Sequence, residues 1–519
     1  MSELVLRGRY LVTDARKKAS GVIADGAIAV AGGRVSDSGT FAEVRARHPQ
    51  ARVLGNGRQL LMPGLIDAHS HGRGLSPIQK GVPTDFLENA LFDWAYMPVL
   101  PPELTSGLCA LRHIRSGCTT LHHNSFDDEG KAGQERAHRS VQTYLHTGIR
   151  IAFSPSIRPK NRLALDDEAF WRTLPPELQE ASRALVFFDR DRMEEDYFEL
   201  FDSLYGRYDG EDAKILLSVA WAHGTTESYL KKVRDLAAQR GKVQIHMHTL
   251  QTPVQKAYGL RAHGKPTMRW LDELGLVDRN VTYGHAIHVT EADIALIAQK
   301  GASITHHPSC NLHMRNGVAP VMQYLRAGVN VAMGMDDKTI NDDEDAVMEV
   351  RMIHKIHRLS SFELGEAPMD AYTALQIATT NAARVCGFEN ELGTLKPGMK
   401  ADAILVDLER IAEDPWLDPD LDIVEAFVQR GLGSDVAAAV IAGKVVMEDR
   451  KVRTMDVDAL YREVRDFCAK GLSAEHKARA DTMLRIKPYM QAWYRDWEKP
   501  VLGTRLHHQF TQLTKGEFP

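Results

Sequence analysis

Two histidines stand one residue apart at the end of Met62-Pro63-Gly64-Leu65-Ile66-Asp67-Ala68-His69-Ser70-His71. Side chains alternate along a strand, so His69 and His71 point to one side of it. Two imidazoles converging at a strand's end form half a metal site. A lone pair of this kind could also be two solvated rings in a loop. The apolar Leu60-Leu61-Met62 and the Pro63-Gly64 turn instead place it after a short buried strand. The spacing recurs at His246 and His248, and another pair, His306-His307, lies downstream. With 22 histidines in the chain, metal chemistry is the first expectation.

The elements that must carry these residues alternate. From about residue 63 to 390, strand-like runs are separated by helical ones, the pattern of βα units and a parallel sheet. The runs fall at 65–71, 117–121, 148–154, 214–221, 242–248, 280–285, 302–306 and 329–335. Eight such strands predict a (β/α)₈ TIM-type barrel, whose chemistry sits where the strands end. Residues 1–62 read as short β runs broken by Gly and Asp, and similar runs return over 391–455. Residues 456–519 read as a helical tail.

Composition narrows the class. At 519 residues the chain exceeds one ordinary domain, and 44% hydrophobic with 26% charged residues describes a soluble globular protein. A net charge of -5 argues against a nucleic-acid partner. The five cysteines are scattered without a CxxC pair, which suits a reducing cytoplasm. No apolar run approaches 18 residues, so no membrane span is expected, and the first residues do not read as a signal peptide. Trp493, Tyr494 and Trp497 in the tail predict packing on the barrel or on a second subunit, in a homo-oligomer.

The PGLIDAHSH stretch resembles the first barrel strand of the amidohydrolase superfamily, in the branch of cytosine and guanine deaminases and triazine hydrolases. Gly393-Thr394-Leu395-Lys396-Pro397-Gly398-Met399-Lys400-Ala401-Asp402 resembles that family's return into a composite β-sandwich built from both chain ends. The resemblance implies four metal ligands, His69, His71, His248 and Asp336, with His246 one layer deeper and Asp337 a polar neighbour. Three nitrogens and a carboxylate suit one divalent ion, Zn²⁺ first and Fe²⁺ second. It further implies that Asp336 moves the proton of a metal-activated water and that His285 orients water or substrate. Substrate contacts are expected from Gln251, His306, Asn311, Lys80 and His122.

The clearest departure is Gln251, which stands where the family carries a proton-shuttling Glu. Gln hydrogen-bonds a small-molecule substrate but is neither acid nor base near neutral pH. That favours hydrolysis of an acyl C–N bond in an amide, urea, carbamate or cyclic amide, where one carboxylate suffices. The alternative is deamination or dechlorination of a purine, pterin or triazine, with Gln251 placing the ring. A non-catalytic scaffold is the third reading, set aside by the full ligand set.

Overall fold

The computed structural model describes residues 3–126, 128–336, 338–358, 365 and 367–501. Asp337 and the tail beyond residue 501 lie outside the described residues. The fold is mixed α/β. Parallel strands Leu65–Ser70, Cys118–Asn124, Arg150–Ser154 and Ala213–Ile215 form one sheet. Leu217–Trp221, Ile245–Thr249, Val281–His285, Ser303–His306 and Asn330–Met333 form a second parallel sheet.

The two sheets are arcs divided by a break inside the fourth expected strand. Ala213–Ile215 pairs with the third strand, and Leu217–Trp221 pairs with the fifth. Leu216, between them, donates its N–H to the Phe153 carbonyl at 2.8 Å. At the opposite edges Asp336 donates its N–H to the His69 carbonyl, also at 2.8 Å. The first and last strands therefore end side by side, with His69 and Asp336 bonded through the backbone.

Both chain ends meet in a separate β layer. Strand Gln59–Pro63 pairs antiparallel with Ala403–Asp407, with Leu60 opposite Val406. These strands are buried on both faces, and alternation divides their side chains. Leu61, Ala403 and Leu405 join a small core with Leu6, Ile28 and Val30 of the N-terminal four-stranded sheet. Leu60, Met62, Ile404 and Val406 turn the other way into the large core around the parallel strands. A two-faced apolar run is therefore the cement between the two layers.

A buried ion pair ties the same interface. Arg150, 1% exposed, donates from Nε and Nη2 to the two Asp402 oxygens at 2.9 and 3.0 Å. In the tail, helix Val457–Ala469 is capped by Asp456, and helix Ala474–Trp493 follows. Trp493 donates to the Leu165 carbonyl at 3.0 Å, and the Tyr494 hydroxyl accepts the Leu165 N–H at 2.6 Å. Trp497 is buried in the same cluster as Leu165, Val254 and Tyr258. All three tail aromatics thus pack on their own chain. Among the described residues no helix is long and apolar enough to cross a membrane.

Removing one partner of a buried bidentate pair leaves the other charge uncompensated, at a cost of about 3–5 kcal/mol. Arg150→Ala should lower unfolding free energy by that amount in denaturant titration, and a loss below about 1 kcal/mol would contradict this account.

Candidate active site and metal centre

His69 and His71 both lie at the carboxyl end of Leu65–Ser70, and His248 lies in Ile245–Thr249. Asp336 follows Asn330–Met333. One ligand atom from each of these four comes within 4.8 Å of the others. Asp336 Oδ1 is 3.4 Å from His69 Nε2 and 3.0 Å from His71 Nε2. Ligand atoms sharing one tetrahedral zinc at about 2.0–2.2 Å lie about 3.3–3.6 Å apart; the His69 separation falls in that range and the His71 separation is about 0.3 Å shorter.

The ring nitrogens that face away from Asp336 set the tautomers. His71 Nδ1–H donates to the Asn124 carbonyl at 2.9 Å, and His248 Nδ1–H donates to the Ala220 carbonyl at 2.6 Å. A carbonyl only accepts, so the Nε2 lone pair of each ring is left for a ligand. His69 is fully buried, and neither of its ring nitrogens has a hydrogen-bond partner. A buried imidazole without partners is costly unless a cation takes its lone pair. Burial pushes the His69 and His248 imidazoles well below their ordinary pKa, which favours the neutral form that binds metal. The donor set therefore fits one divalent ion.

Asp336 divides its two oxygens. Oδ1 faces His69 and His71, while Oδ2 lies 3.5 Å from His285 Nε2 and 3.4 Å from His307 Nδ1. Burial alone would raise this carboxyl, but His307, His69 and His71 hold it well below the usual range. Asp336 has φ 53° and His285 has φ 69°, backbone angles that non-glycine residues seldom adopt. At Gly334 any Cβ would meet His307 Cδ2 at 2.5 Å and His69 Cβ at 2.9 Å, so only glycine lets these strand ends approach. Asp67 staples them further. Its Oδ1 accepts the N–H groups of His69 at 3.0 Å and Met335 at 2.9 Å, and its Oδ2 meets His113 Nε2 at 2.9 Å.

The remaining expected residues divide. His285 Nδ1 meets Asn311 Oδ1 at 2.9 Å, which makes Nδ1 the donor and turns Nε2 toward Asp336. Burial, with His307 beside it, pushes the His285 imidazole down to about 3. Asn311 thus positions His285 and does not line the cavity. Gln251 and Lys80 do line it.

His306 and His122 are corrected as substrate contacts. His306 shares a strand face with Ile304, pointing away from the mouth, and meets His357 Nε2 at 3.0 Å. Its neighbour His307 takes the inner position, stacked on His69 at 4.4 Å. His122 points inward but one layer too deep. Its Nδ1 bonds the Ala68 carbonyl at 3.0 Å, its Nε2 meets Ser154 Oγ at 2.8 Å, and its ring lies 5.0 Å from His246. His246 is itself stacked on His69 at 4.6 Å.

Above the ligands opens a cavity of about 520 Å³ that reaches His71, His248, His285 and Asp336. Phe126 and Trp221 line it beside the metal site. Phe126 is 4.4 Å from the His71 ring and 5.6 Å from Trp221. The tail contributes His476, Arg479, Met483 and Tyr494 to the far wall. Sequence reading missed His307, Trp221, Phe126 and the tail's part. Strand alternation, with Ser303 and Thr305 sharing a face with His307, carried the signal for the first.

Parallel strands presenting three imidazoles and a carboxylate at their carboxyl ends define a metal-dependent hydrolase. The amidohydrolase family model matches residues 60–446, and the chain belongs to that family. A model of the imidazolonepropionase-like composite domain of bacteria matches residues 26–51. The chain is 30% identical over 417 residues, 78% of its length and 85% of the relative's, to a 5-methylthioadenosine/S-adenosylhomocysteine deaminase of Caldanaerobacter subterraneus. It is 26% identical over 474 residues to a 5'-deoxyadenosine deaminase of Methanosarcina mazei, covering 89% of this chain and 97% of that one. An adenosine deaminase from Xanthomonas campestris, solved with bound zinc, superposes with TM-score 0.74 at 26% identity, covering 90% and 98% of the two chains. The zinc complex of an atrazine chlorohydrolase from Arthrobacter aurescens shares the fold, with TM-score 0.75 at 19% identity and 89% and 99% coverage.

Groups that orient a site residue through one hydrogen bond typically contribute about 10–100-fold to activity or metal affinity. Asn311→Ala should lower kcat by that factor while leaving metal content, read by elemental analysis, unchanged. An unaltered kcat would remove Asn311 from the site.

Proposed function

We propose that this chain is a zinc-dependent aminohydrolase that replaces the exocyclic amino group of a purine nucleoside with oxygen and releases ammonia. It is a hydrolase of carbon–nitrogen bonds other than peptide bonds. The observation that carries the finer reading is the pairing of the four-donor cluster with an aromatic wall. Phe126 and Trp221 flank His71 and His248 along one side of the cavity. Flat rings set beside the donors suit a planar heterocycle, and about 520 Å³ accommodates a nucleoside. The deaminases to which the chain is similar favour this reading over cleavage of an acyl C–N bond. Zinc is favoured by the donor set and by the zinc-bound adenosine deaminase neighbour.

The scaffold reading follows from the same facts. The two parallel arcs form one (β/α)₈ barrel over 63–390, joined at the Leu216–Phe153 and Asp336–His69 backbone bonds. Residues 1–62 and 391–455 build the composite sandwich, and the described part of the tail, 456–501, contributes to the cavity wall.

In this account His69, His71, His248 and Asp336 hold the ion. Zinc held there would supply a water of lowered pKa. Asp336 Oδ2, the oxygen turned away from His69 and His71, takes the proton of the attacking water. His285, neutral and fixed by Asn311, points Nε2 at the same place and orients the water. Asp336 then gives its proton to the departing nitrogen. The aromatic wall stacks the ring, and Gln251 hydrogen-bonds it.

Loss of a positioned acid–base group costs about 10²–10⁴-fold. Zinc-loaded protein should release ammonia from 6-aminopurine nucleosides and little or no aniline from anilides and phenylureas, and Asp336→Asn should abolish at least 99% of that ammonia release. Turnover of anilides with no ammonia from any amino-heterocycle would restore the acyl-bond reading.

A further inference from the structure

The aminohydrolase reading leaves one chemical requirement unmet. Adding water across a ring C=N bond pushes an electron pair onto the ring nitrogen, which must receive a proton. Gln251 has none to give. A second carboxyl group, from a different part of the chain, stands next to it.

Glu88 lies in the first turn of helix Leu87–Asp93, in the segment that follows His71. Its Oε1 accepts the Thr252 hydroxyl at 2.5 Å, and Thr252 is the residue after Gln251. Thr252 also caps helix Pro253–His263, so this contact is held by a fixed element. Gln251 is fixed in turn, its N–H donating to Gln255 Oε1 at 2.8 Å. Glu88 is 7% exposed, and its Oε2 is buried with no hydrogen-bond partner. Glu88, Gln251, Gln255, His285 and Asp336 line one cavity. A buried carboxylate oxygen without a donor is unstable as an anion, so such a group keeps its proton or meets a ligand.

Charged groups near Glu88 include Arg158 across the cavity, which lies over the Trp221 ring at 4.9 Å. On its own helix Asp93 pairs with Lys487 of the tail helix at 2.7 Å. Before that helix Asp85 accepts from Asn89 at 2.9 Å and pairs with Arg315 at 3.3 Å. From the tail, the neutral Tyr494 hydroxyl faces it and is held by Leu165. From the Thr252 side Glu88 meets the neutral Thr252 hydroxyl. Burial pushes the Glu88 carboxyl up to about 7, although the Thr252 hydroxyl works against it.

We propose that Glu88 is the acid that protonates the substrate ring, in place of the glutamate missing at position 251. The inference rests on the aminohydrolase reading. As the water oxygen bonds to carbon, the Glu88 O–H bond breaks and a ring N–H bond forms, leaving Glu88 as a carboxylate. The water's proton goes to Asp336. When the adduct collapses, the C–N bond to the amino group breaks with its electron pair, and that nitrogen takes the proton from Asp336 to leave as ammonia. The hydroxyl proton of the adduct restores the Glu88 acid as the carbonyl forms. Each proton is accounted for, and the ring keeps the one it received.

The test uses the zinc-loaded full chain with adenosine and 5-methylthioadenosine. A positioned acid contributes about 10²–10⁴-fold. Glu88→Gln should lower kcat for ammonia release by that factor at one zinc per chain, and Glu88→Asp should recover part of it. Activity of the unsubstituted protein should fall as pH rises through about 7, where Glu88 loses its proton. That alkaline limb should vanish in the residual activity of Glu88→Gln. Gln251→Glu should give no gain alone, and should restore at least about 10-fold when added to Glu88→Gln. Independently of turnover, carbon-13 spectra of glutamate-labelled protein should show a carboxyl titrating near 7 that Glu88→Gln removes. Ammonia release within threefold of normal in Glu88→Gln, with the limb intact, would overturn the proposal and leave the aminohydrolase reading standing. No ammonia release by the unsubstituted protein would overturn both.

Discussion

A single buried carboxylate organises this molecule. Asp336 lies among four imidazoles, and its two oxygens face different pairs of them. A carboxylate this deep is unstable without compensating positive charge. Burial pushes two of the imidazoles toward neutrality, His69 well below its ordinary pKa and His285 down to about 3. The cluster therefore has an unbalanced anion and unused lone pairs, and a divalent cation resolves both. The oxygen turned to His69 and His71 faces the candidate ion site, and the proposed mechanism assigns proton exchange to the other, beside His285.

Holding that arrangement requires the first and last parallel strands to end side by side. Asp67 does this from below, one oxygen accepting N–H groups from both strand ends. Gly334 does it by having no side chain where His307 and His69 must pass. The left-handed backbone at His285 and Asp336 turns two functional side chains into the mouth against ordinary preference, and the packed strands beneath maintain it. The cavity walls come from farther away. The segment after His71 supplies Glu88, and the tail supplies Tyr494, so residues distant in sequence meet over the donors.

Much of this was legible from residue type and spacing. Alternation puts His69 and His71 on one side of a strand, while His248 and Asp336 come in as ligands through the family resemblance. The shared β layer of Leu61 and Leu405 is expected from the resemblance of residues 393–402 to the family's return strand, since apolar runs show only that some partner sheet is needed. His306 and His122 were misplaced for separate reasons. With adjacent histidines, the phase of alternation decides which one faces inward, and Ile304 sets it in favour of His307. For His122 the phase is right but the depth beneath the strand ends is wrong, and nothing in a local sequence encodes depth. Glu88 was invisible because its importance comes from contact with Thr252, 164 positions away. The Gln251 substitution marked a missing acid, and only the fold could show what stands beside it.

The central claim is that one ion is shared by His69, His71, His248 and Asp336. The described residues also offer a competing group, His69, His285, His307 and Asp336. Anomalous diffraction at the zinc edge from zinc-loaded crystals separates the two directly. This account predicts one ion per chain, about 2.0–2.2 Å from His69 Nε2, His71 Nε2, His248 Nε2 and Asp336 Oδ1. An ion bonded to His285 and His307 instead, or a second ion bridged to the first, would contradict it.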